Sequence, residues 1–223
     1  MSGAFPKLVL FDLDGTLLDS APDMVATVNG MRAARGRDAM PLAELRPHVS
    51  KGSRAMSAAA FPELGGEVPP EMIREFLDAY ERELGRHSVL FDGVAELLDA
   101  IDAAGSRWGI VTNKPEYLAR QVLPGLGWNS RCAILVGGDT LAERKPHPLP
   151  LLHAARVLET AIGDCVYVGD DQRDIDAARA AGMRSVVALW GYRPEGDDPA
   201  AWGGDAMADS ARDLLEGALL GGE

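Results

Sequence analysis

Five short apolar segments, each followed by a polar or glycine-rich turn, constrain the fold of this chain more than any other feature. Each has the length of a β-strand, four are rich in Val or Ile, and none alternates cleanly between apolar and polar residues. Strands that are buried on both faces have this pattern. The predicted strands lie at residues 7–11, 108–112, 133–136, 165–168 and 185–189.

Helical patterns fill the intervals between the later strands, at residues 94–104, 116–126, 149–158 and 174–181. Glycine follows several of these segments, and glycine is the usual residue just past the last turn of a helix. The alternation of strand and helix predicts an α/β fold with a doubly wound, Rossmann-like parallel sheet.

The interval from residue 20 to residue 90 breaks this alternation. It contains no convincing strand, and its helical patterns lie at residues 22–35, 41–60 and 71–85. We therefore expect an all-helical insert at residues 20–90, placed after the first strand of an α/β core domain that comprises residues 1–19 and 91–223. Near the C-terminus, the Gly-, Pro- and Asp-rich stretch 193–205 predicts a surface loop before a last helix.

Charge and cysteine content limit the partners and the compartment. The formal net charge of −12 repels nucleic acid, so we expect no nucleic-acid partner, and a small anionic substrate requires a cation or a basic cluster at its site. Two cysteines do not make a disulfide framework, which favours a reducing compartment. The first apolar segment is too short for a signal peptide or a membrane span. We expect a cytoplasmic protein with no membrane partner, either a monomer or a weak homodimer.

Carboxylates stand where the predicted strands end. Asp12 and Asp14 follow the first strand two residues apart, so their side chains point the same way on an extended backbone. Asp170 follows the fourth strand, and Asp174 lies one helical turn further on. Ligands of an open α/β sheet bind beyond the carboxyl ends of its strands, and acidic oxygens suit Mg²⁺ better than a soft metal. The sequence predicts a Mg²⁺ site here, with Asp174 either supporting it through water or paired with a surface arginine.

A hydroxyl and an amine join these acids. Thr112 ends the second strand, and Lys145 lies between the third strand and the next helix. Lys145 is placed to neutralise an anion, and Thr112 offers a hydrogen-bond donor. Acids, a hard metal, a lysine and a hydroxyl around one point favour phosphoryl transfer. The structural alternatives are that Asp12 and Asp14 are turn residues and that Lys145 is an exposed surface lysine.

Four motifs in this order carry a resemblance to a known family: Asp12-Leu13-Asp14-Gly15-Thr16, Thr112-Asn113, Lys145-Pro146 and Gly169-Asp170-Asp171-x-x-Asp174. In these motifs the chain resembles the haloacid dehalogenase-like superfamily, and the resemblance extends over essentially the whole chain. The helical insert resembles the cap domain of that family in its first insertion position.

The resemblance implies a role for each reacting residue. It implies that Asp12 attacks phosphorus and forms an acyl-phosphate, and that Asp14 acts first as the general acid and then as the general base. Thr112 and Lys145 are implied to hold phosphate oxygens, with Asn113 binding substrate beside them. Dehalogenases of the family lack an acid where Asp14 stands, so Asp14 favours a phosphatase.

The resemblance also implies how the metal is bound. Mg²⁺ is implied to bind the Asp12 carboxylate, the Asp14 backbone carbonyl and Asp170.

The family resemblance narrows the substrate to a small phosphate ester. The chain looks most like the enzymes grouped as phosphoglycolate phosphatases. Segments at residues 111–115, 168–171, 191–195 and 202–205 resemble, at their non-catalytic positions, a branch that acts on N-acetylmuramic acid 6-phosphate in peptidoglycan recycling. Both esters carry a carboxylate, and a helical cap that closes over the site leaves room only for a small leaving group.

Residues of the insert and of the C-terminal segment are candidates for substrate contact. Lys51 and Arg54 flank a Gly-Ser pair and are expected to bind the carboxylate; the alternative is a solvated helix start. Trp190, Tyr192 and Trp202 either line a sugar site or pack the C-terminal loop.

Three other functions share parts of this pattern. A sugar phosphomutase has the same nucleophile, acid-base residue and cap, and differs in passing the phosphate to a second hydroxyl. A receiver-like signalling domain has an acid cluster, a Thr and a Lys, but has no cap and is about half as long. A non-catalytic phosphate-binding protein on this fold is expected to lack Asp12 or Asp14, and both are present.

Overall fold

The computed structural model describes residues 5–194, 196–215 and 217–220, and a six-stranded sheet lies at its centre. In chain order the strands are β1 (Leu8–Phe11), β2 (Leu18–Asp19), β3 (Val89–Leu90), β4 (Arg107–Val111), β5 (Cys132–Val136), β6 (Cys165–Gly169), β7 (Arg184–Ala188) and β8 (Ala206–Ala208). The six-stranded sheet has the order β5-β4-β1-β6-β7-β8, and every neighbouring pair in it is parallel. The predicted α/β class with a Rossmann-like parallel sheet is confirmed.

The central strand β1 shows why these segments are continuously apolar. Leu8 and Leu10 face one apolar cluster, whereas Val9 and Phe11 face another cluster on the opposite side of the sheet. All four side chains are buried. A strand covered by helices on both faces needs apolar residues at every position, which explains the absence of alternation.

Helices cover the sheet and fill the interval between β2 and β3. In chain order they are α1 (Ala21–Ala33), α2 (Leu42–Leu45), α3 (Gly52–Ala60), α4 (Pro70–Glu83), α5 (Val94–Ala103), α6 (Glu116–Val122), α7 (Leu149–Val157) and α8 (Gln172–Ala181). Helices α1 to α4 pack around an apolar cluster that includes Met24, Met56 and Phe76. We call residues 20–90 the cap, and this division of the chain stays a prediction. Nowhere in the described ranges is a helix both long and apolar enough to cross a membrane.

The helix predicted at residues 41–60 is interrupted. It consists of α2, a 3₁₀ segment at Arg46–Lys51 and α3. Pro47 lies in the first turn of the 3₁₀ segment, and Gly52 has a positive φ of 76° that a continuous α-helix does not accommodate. The interruption places a bend at residues 50–54, where the 3₁₀ segment meets α3, so these residues do not lie inside one continuous helix.

The C-terminal segment differs most from its prediction. The stretch expected to be a loop leads into β8, which pairs with β7 at the edge of the sheet. The expected last helix is wrong within the described residues, because Pro199–Trp202 and Ala211–Leu214 form only 3₁₀ turns. The two-residue strands β2 and β3, which form an antiparallel pair, were also not expected from the sequence.

Candidate active site

Side chains at the carboxyl ends of three adjacent strands converge at one edge of the sheet. Asp12 follows β1, Thr112 follows β4 and Asp170 follows β6, and all three are buried. Lys145, from the segment between β5 and α7, places Nζ 3.1 Å from Oδ1 of Asp12. The backbone N–H of Leu13 donates to the same oxygen at 2.7 Å. These two contacts fix the orientation of the Asp12 carboxylate.

Three carboxylates form a buried cluster at this edge. Oxygens of Asp12, Asp170 and Asp174 lie within 4.8 Å of one another. Burial and then the neighbouring carboxylates raise the pKa of Asp170 well above its usual value, and burial also raises the pKa of Asp174. Lys145 Nζ lies 2.7 Å from Oδ1 of Asp174. Burial lowers the pKa of Lys145, but Asp12 and Asp174 outweigh it, so the pKa is raised and the ammonium is retained. One lysine leaves an excess of negative charge that a divalent cation would neutralise.

The surroundings of Asp170 fit a metal ligand. A Cβ added to Gly15, whose φ is +92°, would lie 2.2 Å from Oδ2 of Asp170, and a Cβ on Gly191 would lie 2.2 Å from its Cβ. Thr16 Oγ1 donates to Oδ1 at 3.1 Å, and the backbone N–H of Tyr192 donates to Oδ2 at 2.9 Å. The atoms of this cluster that could bind a metal are all carboxylate oxygens, and the space around Asp170 is tightly packed. The cluster therefore suits a hard cation such as Mg²⁺.

Asp14 and Asp174 are placed differently from one another. The side chain of Asp14 lies outside the carboxylate cluster, and Lys114 Nζ donates to its two oxygens at 3.0 and 3.1 Å. Lys114 Nζ also donates to the hydroxyl of Tyr80 at 2.6 Å. Asp174 is a member of the cluster and pairs with Lys145, so the alternative of a surface pair with an arginine does not hold.

Thr112 and Asn113 border the acids. Thr112 Oγ1 accepts the backbone N–H of Lys114 at 3.2 Å. Asn113 Nδ2 donates to the carbonyl of Lys145 at 2.9 Å, whereas its buried Oδ1 has no hydrogen-bond partner among the described residues. The Asn113 amide therefore holds the loop that carries Lys145.

The bend of the cap contacts the core at the same edge. Ser50 Oγ donates to Oδ2 of Asp170 at 2.8 Å, and Lys51 Nζ lies 2.6 Å from Oδ2 of Asp171. Arg173 Nη2 donates to the carbonyl of Ser50 at 2.6 Å. Although burial opposes it, Arg173 and Lys51 lower the pKa of Asp171 to about 2. Asp171 is thus the N-terminal capping residue of α8, and through Lys51 it also joins residues 20–90 to the core.

A cavity of about 410 Å³ lies between the cap and the core. Of the nine predicted site residues, Asp170 is fully buried and does not line the cavity. The other eight line it: Asp12, Asp14, Lys51, Arg54, Thr112, Asn113, Lys145 and Asp174.

Several residues that the structure places at this site are not predicted as site residues from the sequence. Lys114, Tyr80, Ser50 and Gly191 act through contacts that join distant parts of the chain. Only Lys114 had a local clue, since it directly follows Thr112 and Asn113 in the motif.

The three aromatic residues near the C-terminus do not line the cavity. Trp190 Nε1 donates to the carbonyl of Thr16 at 2.9 Å, and the hydroxyl of Tyr192 donates to Asp19 at 2.7 Å. Trp202 packs on Ile175 and Val187. Packing is therefore the role that the structure supports for them.

Comparison with known proteins agrees with this geometry. Residues 9–188 match the family model described as haloacid dehalogenase-like hydrolase. A protein of Xanthomonas campestris named phosphoglycolate phosphatase is 61% identical over 212 residues, which cover 95% of this chain and 96% of that protein. A protein of Pseudomonas aeruginosa named N-acetylmuramic acid 6-phosphate phosphatase is 42% identical, with 94% of this chain and 93% of that protein covered.

Solved structures show the same architecture. A crystal structure from Haemophilus somnus 129pt, described as a "predicted phosphoglycolate phosphatase", has a TM-score of 0.82 and 28% identity, and the match covers 96% of this chain and 98% of that one. A hydrolase from Pseudomonas syringae has a TM-score of 0.72 and 25% identity, with 94% and 96% covered. With its strand-end acids, its family-model match and these relatives, the chain belongs to the haloacid dehalogenase-like hydrolase family.

Proposed function

We propose that this chain is a Mg²⁺-dependent phosphatase that hydrolyses a small carboxylated phosphate ester through a phospho-aspartate at Asp12. The observation that carries the proposal is the arrangement around Asp12. Its carboxylate is oriented by Lys145 and the Leu13 N–H, and it faces a cavity that Asp14 also borders. A nucleophile held beside a separate acid-base residue is what a two-step transfer requires.

The two steps follow from these positions. An oxygen of Asp12 forms a bond to phosphorus while the bond from phosphorus to the leaving oxygen breaks, and Asp14 gives that oxygen a proton. Water then attacks the phosphorus of the phospho-aspartate, Asp14 takes its proton, and the bond between Asp12 and phosphorus breaks. Lys145 and Thr112 bind the phosphate oxygens throughout.

The carboxylates of Asp12 and Asp170, the backbone carbonyl of Asp14 and, behind them, Asp174 would hold Mg²⁺. When bound, the cation offsets the negative charge of the phosphate and of the acid cluster. Asp170 is held ready by Thr16 and Tyr192, as its hydrogen bonds indicate.

The charges that line the cavity support an anionic substrate in a chain whose net charge is −12. Its described lining has four acids and six cations, namely Asp12, Asp14, Asp171 and Asp174 against Lys51, Arg54, Lys114, Arg144, Lys145 and Arg173. This local excess of positive charge supports a substrate with a carboxylate besides its phosphate. Relatives carry the names of phosphatases for both candidate esters, 2-phosphoglycolate and N-acetylmuramic acid 6-phosphate.

The size and the apolar wall of the cavity favour the larger of these two esters. The cavity of about 410 Å³ falls within the usual range for whole small-molecule ligands. Beside its polar residues, the cap side of the cavity has an apolar surface that a two-carbon acid cannot cover, formed by Met24, Val49, Ile73, Phe76 and Leu77. A sugar that carries an acetyl group and a lactyl ether has both the size and the apolar surface to do so.

We propose further that the enzyme works in the cytoplasm, since neither Cys132 nor Cys165 is in a disulfide.

The test is phosphate release from a panel of esters, with Mg²⁺ and with EDTA. The panel contains N-acetylmuramic acid 6-phosphate, 2-phosphoglycolate, glucose phosphates and pyridoxal phosphate. We expect release only with metal, and a preference for N-acetylmuramic acid 6-phosphate of at least about a hundredfold in kcat/KM. A preference for 2-phosphoglycolate would contradict the argument from cavity size. Transfer of the phosphate to a second hydroxyl, without release, would identify a sugar phosphomutase.

Asp12→Asn tests the nucleophile in the same assay. We expect turnover to fall by more than about 10⁴-fold with the fold intact by circular dichroism, because an amide is a poor nucleophile. Substantial remaining turnover would assign the attack to another residue.

A further inference from the structure

Lys114 is a buried cation that the proposed reaction leaves without a task. Its side chain is 2% exposed. Nζ lies 3.0 and 3.1 Å from the two oxygens of Asp14 and 2.6 Å from the hydroxyl of Tyr80. An ammonium has three N–H donors, and these three acceptors match them. Because an unmatched buried charge is strongly unfavourable, Asp14, Lys114 and Tyr80 form one interdependent group.

Tyr80 joins this group to the cap. It lies near the end of α4, is 1% exposed, and packs its ring 5.8 Å from that of Phe76. Burial and the nearby carboxylates of Asp14 and Asp23 raise the pKa of Tyr80 well above its usual value, so the hydroxyl stays neutral and accepts from the ammonium. The cap therefore supplies one of the three acceptors that fix Lys114.

We infer that Lys114 and Tyr80 are positioning residues for Asp14. Lys114 contacts both carboxylate oxygens and so fixes the plane of the Asp14 carboxylate, and Tyr80 fixes Lys114. The inference rests on the proposed function, in which Asp14 gives a proton to the leaving oxygen and later takes one from water. Each transfer requires the Asp14 carboxylate to lie within hydrogen-bonding distance of the reacting oxygen, and a small displacement of the carboxylate is enough to slow it. Because Tyr80 belongs to α4, Asp14 is fully oriented only while α4 is seated on the core.

A positioning role and a packing role predict different kinetics. The value of kcat/KM covers the steps up to departure of the leaving group. An alkoxide needs a proton from Asp14 to leave, whereas 4-nitrophenolate leaves without one. Misplacement of Asp14 therefore slows hydrolysis of an alkyl phosphate more than hydrolysis of 4-nitrophenyl phosphate. Loss of packing slows hydrolysis of both esters to the same degree.

Tyr80→Phe removes one oxygen and keeps the ring. We expect kcat/KM to fall by about tenfold for the preferred alkyl phosphate and by less than about threefold for 4-nitrophenyl phosphate. Lys114→Met should give the same pattern with a larger loss, about a hundredfold on the alkyl ester, and it replaces Tyr80→Phe if that variant does not fold. Tyr117→Phe is the matched control, since Tyr117 is 42% exposed and lies outside the cavity. Equal losses on both esters would leave Tyr80 and Lys114 with a packing role only.

A second measurement needs no turnover. In ¹⁵N-lysine-labelled wild-type protein, a buried and hydrogen-bonded Lys114 ammonium should give a slowly exchanging NMR signal, assigned by its loss in Lys114→Met. We expect Tyr80→Phe to broaden or abolish this signal and Tyr117→Phe to leave it unchanged. Absence of the signal from wild-type protein, or its persistence in Tyr80→Phe, would overturn the inference. A protein that hydrolyses neither ester but shows the expected NMR changes would lose the proposed function and keep the positioning group.

Discussion

Lys51 and Arg54 stand three residues apart in the cap but meet different partners. Lys51 is paired with Asp171 of the core at 2.6 Å. The guanidinium of Arg54 donates to the backbone carbonyl of Val68 at 3.1 Å, and no ion pair to Arg54 occurs within the described ranges. A carbonyl orients the guanidinium without neutralising it, so Arg54 keeps a full charge at the cavity for an incoming carboxylate.

Arg54→Ala is expected to raise KM for the carboxylated ester by about tenfold and to leave KM for 4-nitrophenyl phosphate nearly unchanged. The reason is that only the carboxylated ester offers Arg54 a charged partner. Steady-state kinetics on the two esters measures the difference. Arg74→Ala is the control, since Arg74 is an exposed cap residue that does not line the cavity. Equal increases in KM on both esters would remove Arg54 from carboxylate binding.

Local sequence reveals the reacting residues better than the residues that orient them. Asp12, Asp14 and Asp170 could be predicted because each stands at a strand end within a short motif. Tyr80 gives no such signal, since it is one apolar position of an amphipathic helix and its partner Lys114 is 34 residues away. Contacts of this kind follow from how the cap seats on the core, which no local pattern encodes.

At the scale of elements, strands and long helices follow their patterns, and short elements do not. β8 spans three residues, Ala206–Ala208, without a β-branched side chain, so it gives no strand signal and forms through its pairing with β7. The sequence does not predict the break at Arg46–Lys51, because proline is tolerated in a first helical turn and no local signal specifies where that turn begins.

A buried carboxylate joins the first cap helix to the segment by which the chain returns. Asp23, in the first turn of α1, is fully buried and accepts the backbone N–H groups of Gly85 and His87, each at 2.7 Å. It also accepts the hydroxyl of Ser88. Asp23 therefore fixes the segment between α4 and β3 against α1.

Asp23→Ala should lower the free energy of unfolding by roughly 2–3 kcal/mol, because it removes a buried carboxylate that accepts three partly buried hydrogen bonds. Urea denaturation followed by circular dichroism measures the change. Asp38→Ala, at an exposed acid of the same cap, should stay within about 0.5 kcal/mol of wild type. A similar small change for Asp23→Ala would mean that water satisfies those donors.

At the scale of the whole molecule, negative charge is concentrated where the cation is expected. The chain carries a net charge of −12, and three of its acids, Asp12, Asp170 and Asp174, form a buried cluster. Binding of a divalent cation to this cluster stabilises the folded chain by mass action, because the unfolded chain has no such site.

Saturating Mg²⁺ is expected to raise Tm by about 5–10 °C, which corresponds to about 2.7 kcal/mol at a concentration a hundredfold above Kd. Differential scanning calorimetry with and without Mg²⁺, at matched ionic strength, measures this shift. Asp170→Asn should retain a folded protein and lose the response. An equal rise in Asp170→Asn, or with NaCl alone, would place the cation elsewhere.

The antiparallel pair of β2 and β3 has a consequence for how such enzymes diversify. Leu18 pairs with Leu90 and Asp19 with Val89, so the chain departs from the sheet and rejoins it through two adjacent strands. A segment whose ends meet this closely can be lengthened, shortened or exchanged without moving the strands on either side. Descendants of one ancestral gene can therefore gain activity on new substrates through changes in residues 20–88, while the reacting residues at the strand ends stay the same.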